Sequence, residues 1–402
     1  MAIMTQRPVR QAAAEGSGLR RGLLPLMAVA TGLTVASNYL PQPLLHLIGG
    51  SLGLGTGMAG LIVTAAQVGY GIGLFLLVPL GDLVERRRLS VSLYVLTAGF
   101  LLISALAPNG AVLLAGTALT ALTSVAAQVV VPFAASLAAP AERGRVVGTV
   151  MMGLLLGVLL ARTVSGALAE LGGWRTVYWV QAGLMLLMAV LLRRALPTLH
   201  TPAGMRYPKL LGSIATLIRE EPVLRWRMVL GALSFAAFSA LWTSLTFLLS
   251  GGPYNWSEGA IGLMGLFGAL GSVVANVAGR LADRGHVHRV TGAAAVIYLV
   301  AWLPLALGGH SLAWLIVGII VLDLAQQALL ISNQHVVYAL QPEARNRINS
   351  AFMTGNFVGG ALGSALASLA WTHGGWPSVA ILGAALSAGM LVSWSLERLT
   401  TR

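Results

Sequence analysis

The sequence predicts an all-α polytopic membrane protein, with twelve transmembrane helices in two pseudo-symmetric six-helix bundles around a central cavity. Three observations carry this expectation. Of the 402 residues, 57% are hydrophobic and only 9% are charged, a balance foreign to soluble domains of this size. Arginine alternates between the connections of successive apolar segments. The two halves of the chain also repeat each other.

Apolar segments lie at 22–46, 57–80, 89–107, 111–138, 145–169, 174–195, 226–250, 258–279, 289–307, 311–340, 346–371 and 376–396. Crossing a hydrocarbon core ~30 Å thick takes about 20 apolar residues at ~1.5 Å each. The first segment follows Arg7, Arg10, Arg20 and Arg21. It is too long for a cleaved signal core and reads as a retained span. Basic residues fall in the tail 1–21 and after segment 2 (Arg86, Arg87, Arg88). They recur after segments 4 (Arg143, Arg145), 8 (Arg280, Arg284, Arg289) and 10 (Arg345, Arg347), in the central linker and in the tail 397–402. The loops after segments 1, 3, 7, 9 and 11 carry none. The positive-inside rule then places both termini in the cytoplasm of a protein of the inner (plasma) membrane. The net charge of +13 is topological on this reading, and no nucleic-acid partner is expected.

Cysteine is absent, so disulfides, thiol nucleophiles and thiolate metal sites are excluded. His286 and His288 are the only close histidines and lack a third ligand; no metal or cofactor is expected. There is no G-x-x-x-x-G-K-[ST] phosphate loop and no H-E-x-x-H, which argues against an ATP-driven pump and against an enzyme.

The expected organisation is a bundle at 22–195, a linker at 196–225 and a second bundle at 226–396. The linker holds Pro197, Pro202, Pro208 and Pro222. Within it, Lys209 to Glu220 reads as a short amphipathic helix on the inner leaflet. A shift of 202 residues superposes P-A-E-R-G-R from Pro140 on P-E-A-R-N-R from Pro342. Gly153 and Gly157 then meet Gly355 and Gly359, and Gly172-Gly173-Trp174 meets Gly374-Gly375-Trp376. At a shift of 198, G-D-L-V-E-R from Gly81 meets G-R-L-A-D-R from Gly279. Two related six-helix units facing one another are a construction for alternating access.

The tenth segment carries Asp323 near its middle, followed by Gln326, Gln327, Asn333 and Gln334. Spacings of three, four, ten and eleven assign all five to one helical face. A carboxylate at that depth costs roughly 2.5–3.5 kcal/mol against lipid, so the face looks inward. It is either a polar seam joining two helices or a transport pathway with a titratable group in it.

With these motifs on view, the whole chain resembles the major facilitator superfamily. That family's loop after span 2 reads G-x-L-A-D-R-x-G-R-[KR]. Here Gly81, Asp82, Glu85 and Arg86 stand in G-D-L-V-E-R, and the second copy keeps Gly279, Asp283 and Arg284. The resemblance implies that these charges hold one access state and release in the other; the alternative is topology determination alone. The antiporter branch carries G-x8-G-x3-G-P-x2-G-G in span 5. This chain has Gly148 and Gly157, then Ala161-Arg162 in place of G-P and Ser165-Gly166 in place of G-G. Arg162 lies ~25 Å along that helix and either snorkels to the far interface or faces the cavity.

The resemblance implies that spans 1, 4, 7 and 10 line the cavity. Polar stripes agree: Thr31, Thr34, Asn38 and Gln42; Thr117, Thr120, Ser124 and Gln128; Ser239, Thr243 and Thr246 beside Trp242; and the Asp323 face. Gln67, Tyr70, Asn276 and Asn356 add to them from other spans. Pro41 and Pro43 loosen the outer end of span 1. The expected protein is a monomeric transporter in the lipid bilayer, exporting small organic compounds by proton antiport with Asp323 as the coupling group. The alternative is an importer or facilitator of a small anionic metabolite held by Arg162.

Overall fold

A computed structural model describes residues 22–139, 142–198, 206–270, 277–341 and 344–400. The tail 1–21 and Asn276 lie outside the described residues, as does the Asp283 side chain. Among the described residues the chain is helical, with no strand. Nine helices there are long and apolar enough to cross a membrane.

The first predicted span is two pieces, α1 (Leu23–Ala36) and α2 (Leu45–Leu52). Between them the backbone turns and tightens into a 3-10 turn at Gln42–Leu44. Pro41 and Pro43 supply no N–H to an α-helical ladder, which accounts for the break. α3 (Thr56–Leu76) and α4 (Arg86–Ala105) follow. Glu85 caps α4, accepting from the backbone N–H of Arg87 at 3.0 Å and Arg88 at 3.1 Å. The fourth span divides at Ser124-Val125 into α5 (Gly110–Thr123) and α6 (Ala126–Leu137). α7 (Arg143–Gly172) and α8 (Trp174–Ala195) complete the first bundle.

The linker helix α9 (Tyr207–Glu220) buries Leu210, Ile214 and Leu217. Its apolar face was expected against the inner leaflet. Instead it packs on protein, against Leu224, Val337, Ile348 and Phe352 of the second bundle. Tyr207 Oη donates to Leu76 O of the first bundle at 2.7 Å, so the linker bridges both halves. The second bundle begins at Pro222, inside the expected linker, with α10 (Pro222–Ser250). It continues through α11 (Glu258–Leu263), a 3-10 stretch at Met264–Leu270, α12 (Val287–Val300), α13 (Trp302–Leu307) and α14 (Leu312–Leu340).

The last helix, α15 (Arg345–Thr400), leaves helical geometry at Gly374 (φ −155°, ψ 18°) and Gly375 (φ 61°, ψ −148°). The break therefore gives two helices. Gly375 is the repeat counterpart of Gly173, which also has positive φ (79°) and separates α7 from α8. The residue after each, Trp174 and Trp376, is buried with its indole N–H donated, to Ser51 Oγ at 2.6 Å and Leu305 O at 2.7 Å.

Each half has an apolar core, and Phe247 of α10 from the second half joins that of the first. Gly157 lets α7 press on α1, since a Cβ there would collide with the Gly32 backbone. Its counterpart Gly359 faces the Ala232 backbone of α10 in the same way. Small residues permit such close helix contacts in lipid, where van der Waals packing drives association. Gly157→Leu and Gly359→Leu should each cost about 1–3 kcal/mol by overpacking. Thermal melting of the purified variants would show it as a lowered midpoint.

The halves meet along α3 and α15. Thr64 Oγ1 and Ser364 Oγ lie 2.8 Å apart, the Tyr70 and Phe357 rings 4.4 Å apart, and Ser350 Oγ donates to Leu74 O at 2.5 Å.

Candidate functional site

Between the halves lies a cavity of about 1160 Å³. Its mouth is lined by Asp82, Arg86, Arg345 and Arg347, so it opens on the arginine-bearing face. Its depth is lined by Gln128, Arg162, Asp323, Gln326 and Gln327, with Gln334 nearer the mouth and Leu155, Leu159, Phe238 and Met353 as apolar wall. The face opposite the mouth is shut by contacts between the halves. Thr246 Oγ1 donates to Gln42 O at 2.6 Å, Thr163 Oγ1 to Gly262 O at 3.0 Å, and the Gly259 N–H to Glu170 Oε1 at 3.1 Å.

Arg162 sits at that closed end and is buried, at 4% exposure. Its Nε donates to Gln42 Oε1 at 2.7 Å. The guanidinium carbon lies 4.0 Å from the Trp242 ring centroid and 5.1 Å from that of Tyr39. α7 thus carries the charge inward, into a protein-lined pocket. Trp242 belongs to α10, so this cation–π contact spans the halves and is worth about 0.5–2 kcal/mol. Trp242→Leu should loosen the closed end by a comparable amount. A cysteine at position 163 would then react about 2- to 30-fold faster with an impermeant thiol reagent applied to that face.

Asp323 is 5% exposed, and its Oδ1 has no hydrogen-bond partner. Arg162 Nη2 and Gln326 Oε1 are likewise buried without a partner, whereas the Trp242 side chain is a hydrogen-bonding neighbour of the Asp323 carboxylate. Buried polar atoms of a native protein are nearly always paired, and Arg162, Asp323 and Gln326 are cavity-lining residues that each keep one buried atom without a partner. Among the described residues no ion pair within 4.0 Å joins Asp323 to Arg162.

The sequence-predicted residues divide into three groups. Gln128, Arg162, Asp323, Gln326 and Gln327 line the cavity. Asn38, Gln42, Gln67 and Trp242 are buried outside its lining, and Asn38 leaves both side-chain polar atoms unpartnered. Asn333 stands apart from the Asp323 face. Ten residues at 100° each leave it about 80° off that face, whereas Gln334, eleven on, returns to within about 20°. Asn333 Oδ1 instead accepts from Arg227 Nη1 at 3.1 Å.

Arg227 is a feature the sequence reading missed. Fully buried, it pairs through Nε with Glu397 Oε1 at 2.8 Å and reaches Thr291 Oγ1 at 3.2 Å and His288 Nδ1 at 3.3 Å. The expected tail at 397–402 therefore begins inside the bundle, with Glu397 only 1% exposed. Gly265 and Gly268 were also missed. They form the cavity wall against Arg162 and Asp323, where a Cβ on Gly268 would lie 3.2 Å from Asp323 Oδ2.

At the mouth, Arg86 stays within the first half. It bonds Gly81 O at 3.2 Å and Pro132 O at 3.3 Å, and lies 3.6 Å from Asp82. Gly279 and Arg284 of the second copy lie in the described backbone around the kink at Gly285.

A family model described as Major Facilitator Superfamily matches residues 27–293 and 254–401. The chain is 51% identical over 376 residues to the Uncharacterized transporter YgaY of Escherichia coli O157:H7, covering 94% of this chain and 95% of that protein. It is 28% identical over 290 residues to the Chloramphenicol resistance protein of Streptomyces lividans, covering 71% and 72%. Its fold is shared with a bacterial homologue of the human lysosomal transporter Spinster, solved in an inward-facing and occupied conformation. That likeness has a TM-score of 0.75 at 14% identity, over 96% of this chain and 97% of that one.

Proposed function

The chain belongs to the major facilitator superfamily, whose members carry small molecules across membranes, and we propose that it exports small organic compounds in exchange for protons. The carrying observation is the buried Asp323 carboxylate, with no cation among the described residues within ion-pair distance, lining a cavity open on the arginine-bearing face. By the positive-inside rule that face is cytoplasmic, so the cavity is positioned to load cargo from inside the cell. A proton neutralises the carboxylate, whereas a cationic cargo group favours its charged form. Proton and cargo then compete for one site, which is the coupling free energy that antiport requires.

For alternating access the closed end must part. The Arg162–Trp242 contact and the Thr246–Gln42 and Thr163–Gly262 bonds are the ones to break, while the charged loops at Asp82, Arg86 and Arg347 come together. Thr34, Asn38, Thr120, Ser239 and Thr243 are buried with unpartnered side-chain atoms; they become cavity wall when the opposite face opens. Twelve spans, both termini inside, complete the arrangement.

The name of the Streptomyces relative supplies the first cargo to try. Everted membrane vesicles containing the protein should accumulate chloramphenicol when their lumen is acidified, and a protonophore should collapse the gradient. Accumulation unaffected by the protonophore would reject proton coupling. Equilibration without accumulation would favour a facilitator.

A further inference from the structure

Arg162 and Asp323 approach the cavity from opposite halves and lean on the same bare strip. A Cβ at Gly265 would sit 3.2 Å from Arg162 Cβ, and one at Gly268 would sit 3.2 Å from Asp323 Oδ2. Both glycines lie on the 3-10 stretch Met264–Leu270, where residues three apart eclipse and share one face. The two opposite charges are therefore neighbours, yet no ion pair within 4.0 Å joins them. Arg162 Nη2 and Asp323 Oδ1 are buried without a geometrically complete hydrogen bond, and among the described residues Trp242 is the one hydrogen-bonding neighbour the carboxylate has.

We propose that this end of the cavity is a subsite for a zwitterionic head group, with an ammonium on Asp323, a carboxylate on Arg162 and an apolar body toward Phe238 and Leu155. The proposal rests on the transporter reading above and narrows its cargo class. A purely cationic ligand satisfies Asp323 and leaves a buried guanidinium N–H bare. A purely anionic ligand satisfies Arg162 and brings a second negative charge beside Asp323. A head group bearing both charges completes both side chains and leaves the net charge of the site unchanged. Sites whose buried polar groups are left unpaired by an analogue reject it strongly. Trp242 and Gln42 hold the guanidinium plane from behind, so its free edge is fixed before the ligand arrives.

Calorimetric titration of the purified full chain with tryptophan, tryptophan methyl ester and N-acetyltryptophan tests this, because the three share one body and differ in head-group charge. The zwitterion should bind at least about tenfold tighter than either analogue, or 1.4 kcal/mol. Asp323→Asn should erase the preference over the N-acetyl compound alone, and Arg162→Gln the preference over the ester alone. Thermal melting of each variant, with Arg162→Lys as a conservative control, separates lost recognition from lost folding. Equal binding of the three, tightest binding of the ester, or no binding by any of them would overturn the subsite. Chloramphenicol accumulation in everted vesicles carrying the same protein judges the transport reading independently. If it persists while head-group selectivity is absent, only the zwitterion subsite falls. If selectivity is present while proton-driven accumulation is absent, the subsite stands and the pump does not.

Discussion

Asp323→Asn is expected to abolish proton-driven accumulation, by two orders of magnitude or more, while leaving exchange of cargo down its own gradient. The amide keeps the size and most of the polarity of the side chain but cannot carry a proton on and off. In everted vesicles the variant should retain measurable counterflow, slowed by the lost cargo contact, and show no uphill uptake. The two readouts matter together. A variant that loses both has been damaged in packing or cargo contact, and a variant that keeps both assigns coupling elsewhere. Proton-relay acids in membrane segments face cavities because their charge is costly against lipid. Asp323 meets that condition, lining a cavity at 5% exposure.

The second large effect is on stability. Arg227 and Glu397 are 0% and 1% exposed and joined at 2.8 Å. Arg227→Met should cost about 3–5 kcal/mol, because it strands a buried carboxylate, and Glu397→Leu should cost a similar amount by stranding the guanidinium. Replacing both together should cost less than either alone, since no unpaired charge remains. Melting curves of the three variants in one detergent measure the order. The cluster ties α10, α12, α14 and the end of α15 through Glu397, Thr291 and Asn333. Loss of Arg227 should therefore loosen the second bundle more than the first, whose core takes only Phe247 and Trp371 from the second half. Hydrogen exchange resolved by helix would register that difference.

The features legible in the sequence are those that local chemistry or the internal repeat marks. Gly157 and Gly359 occupy matching positions because two helix pairs pack in the same way, and Gly173 and Gly375 because two helices must end in the same way. Asp323 stands out because one acid in a long apolar run is costly without a cavity. The Arg227 site did not stand out. An arginine at the start of a span is also what membrane topology requires, and its partner Glu397 lies 170 positions later in what reads as a tail. With only twelve acids in the chain, the need to place each beside a partner was the available clue. Gln42 and Arg162 are similarly remote in sequence, 120 positions apart, and only the bend after α1 brings the amide beneath the guanidinium. The Asn333 assignment failed on angle: a spacing of ten is a poor match to a period of 3.6 residues, and one of eleven a good one.

Because the chain contains no cysteine, a single Asp323→Cys substitution reports directly on whether this position meets water, and from which side. Right-side-out and everted vesicles carrying that variant can be treated with a membrane-impermeant methanethiosulfonate, and the modified fraction read by mass. Rapid modification in everted vesicles, with little in right-side-out ones, is the predicted result. A thiol at position 323 that stays unmodified from both sides, while one at position 334 nearer the mouth reacts freely, would contradict a cavity reaching the carboxylate.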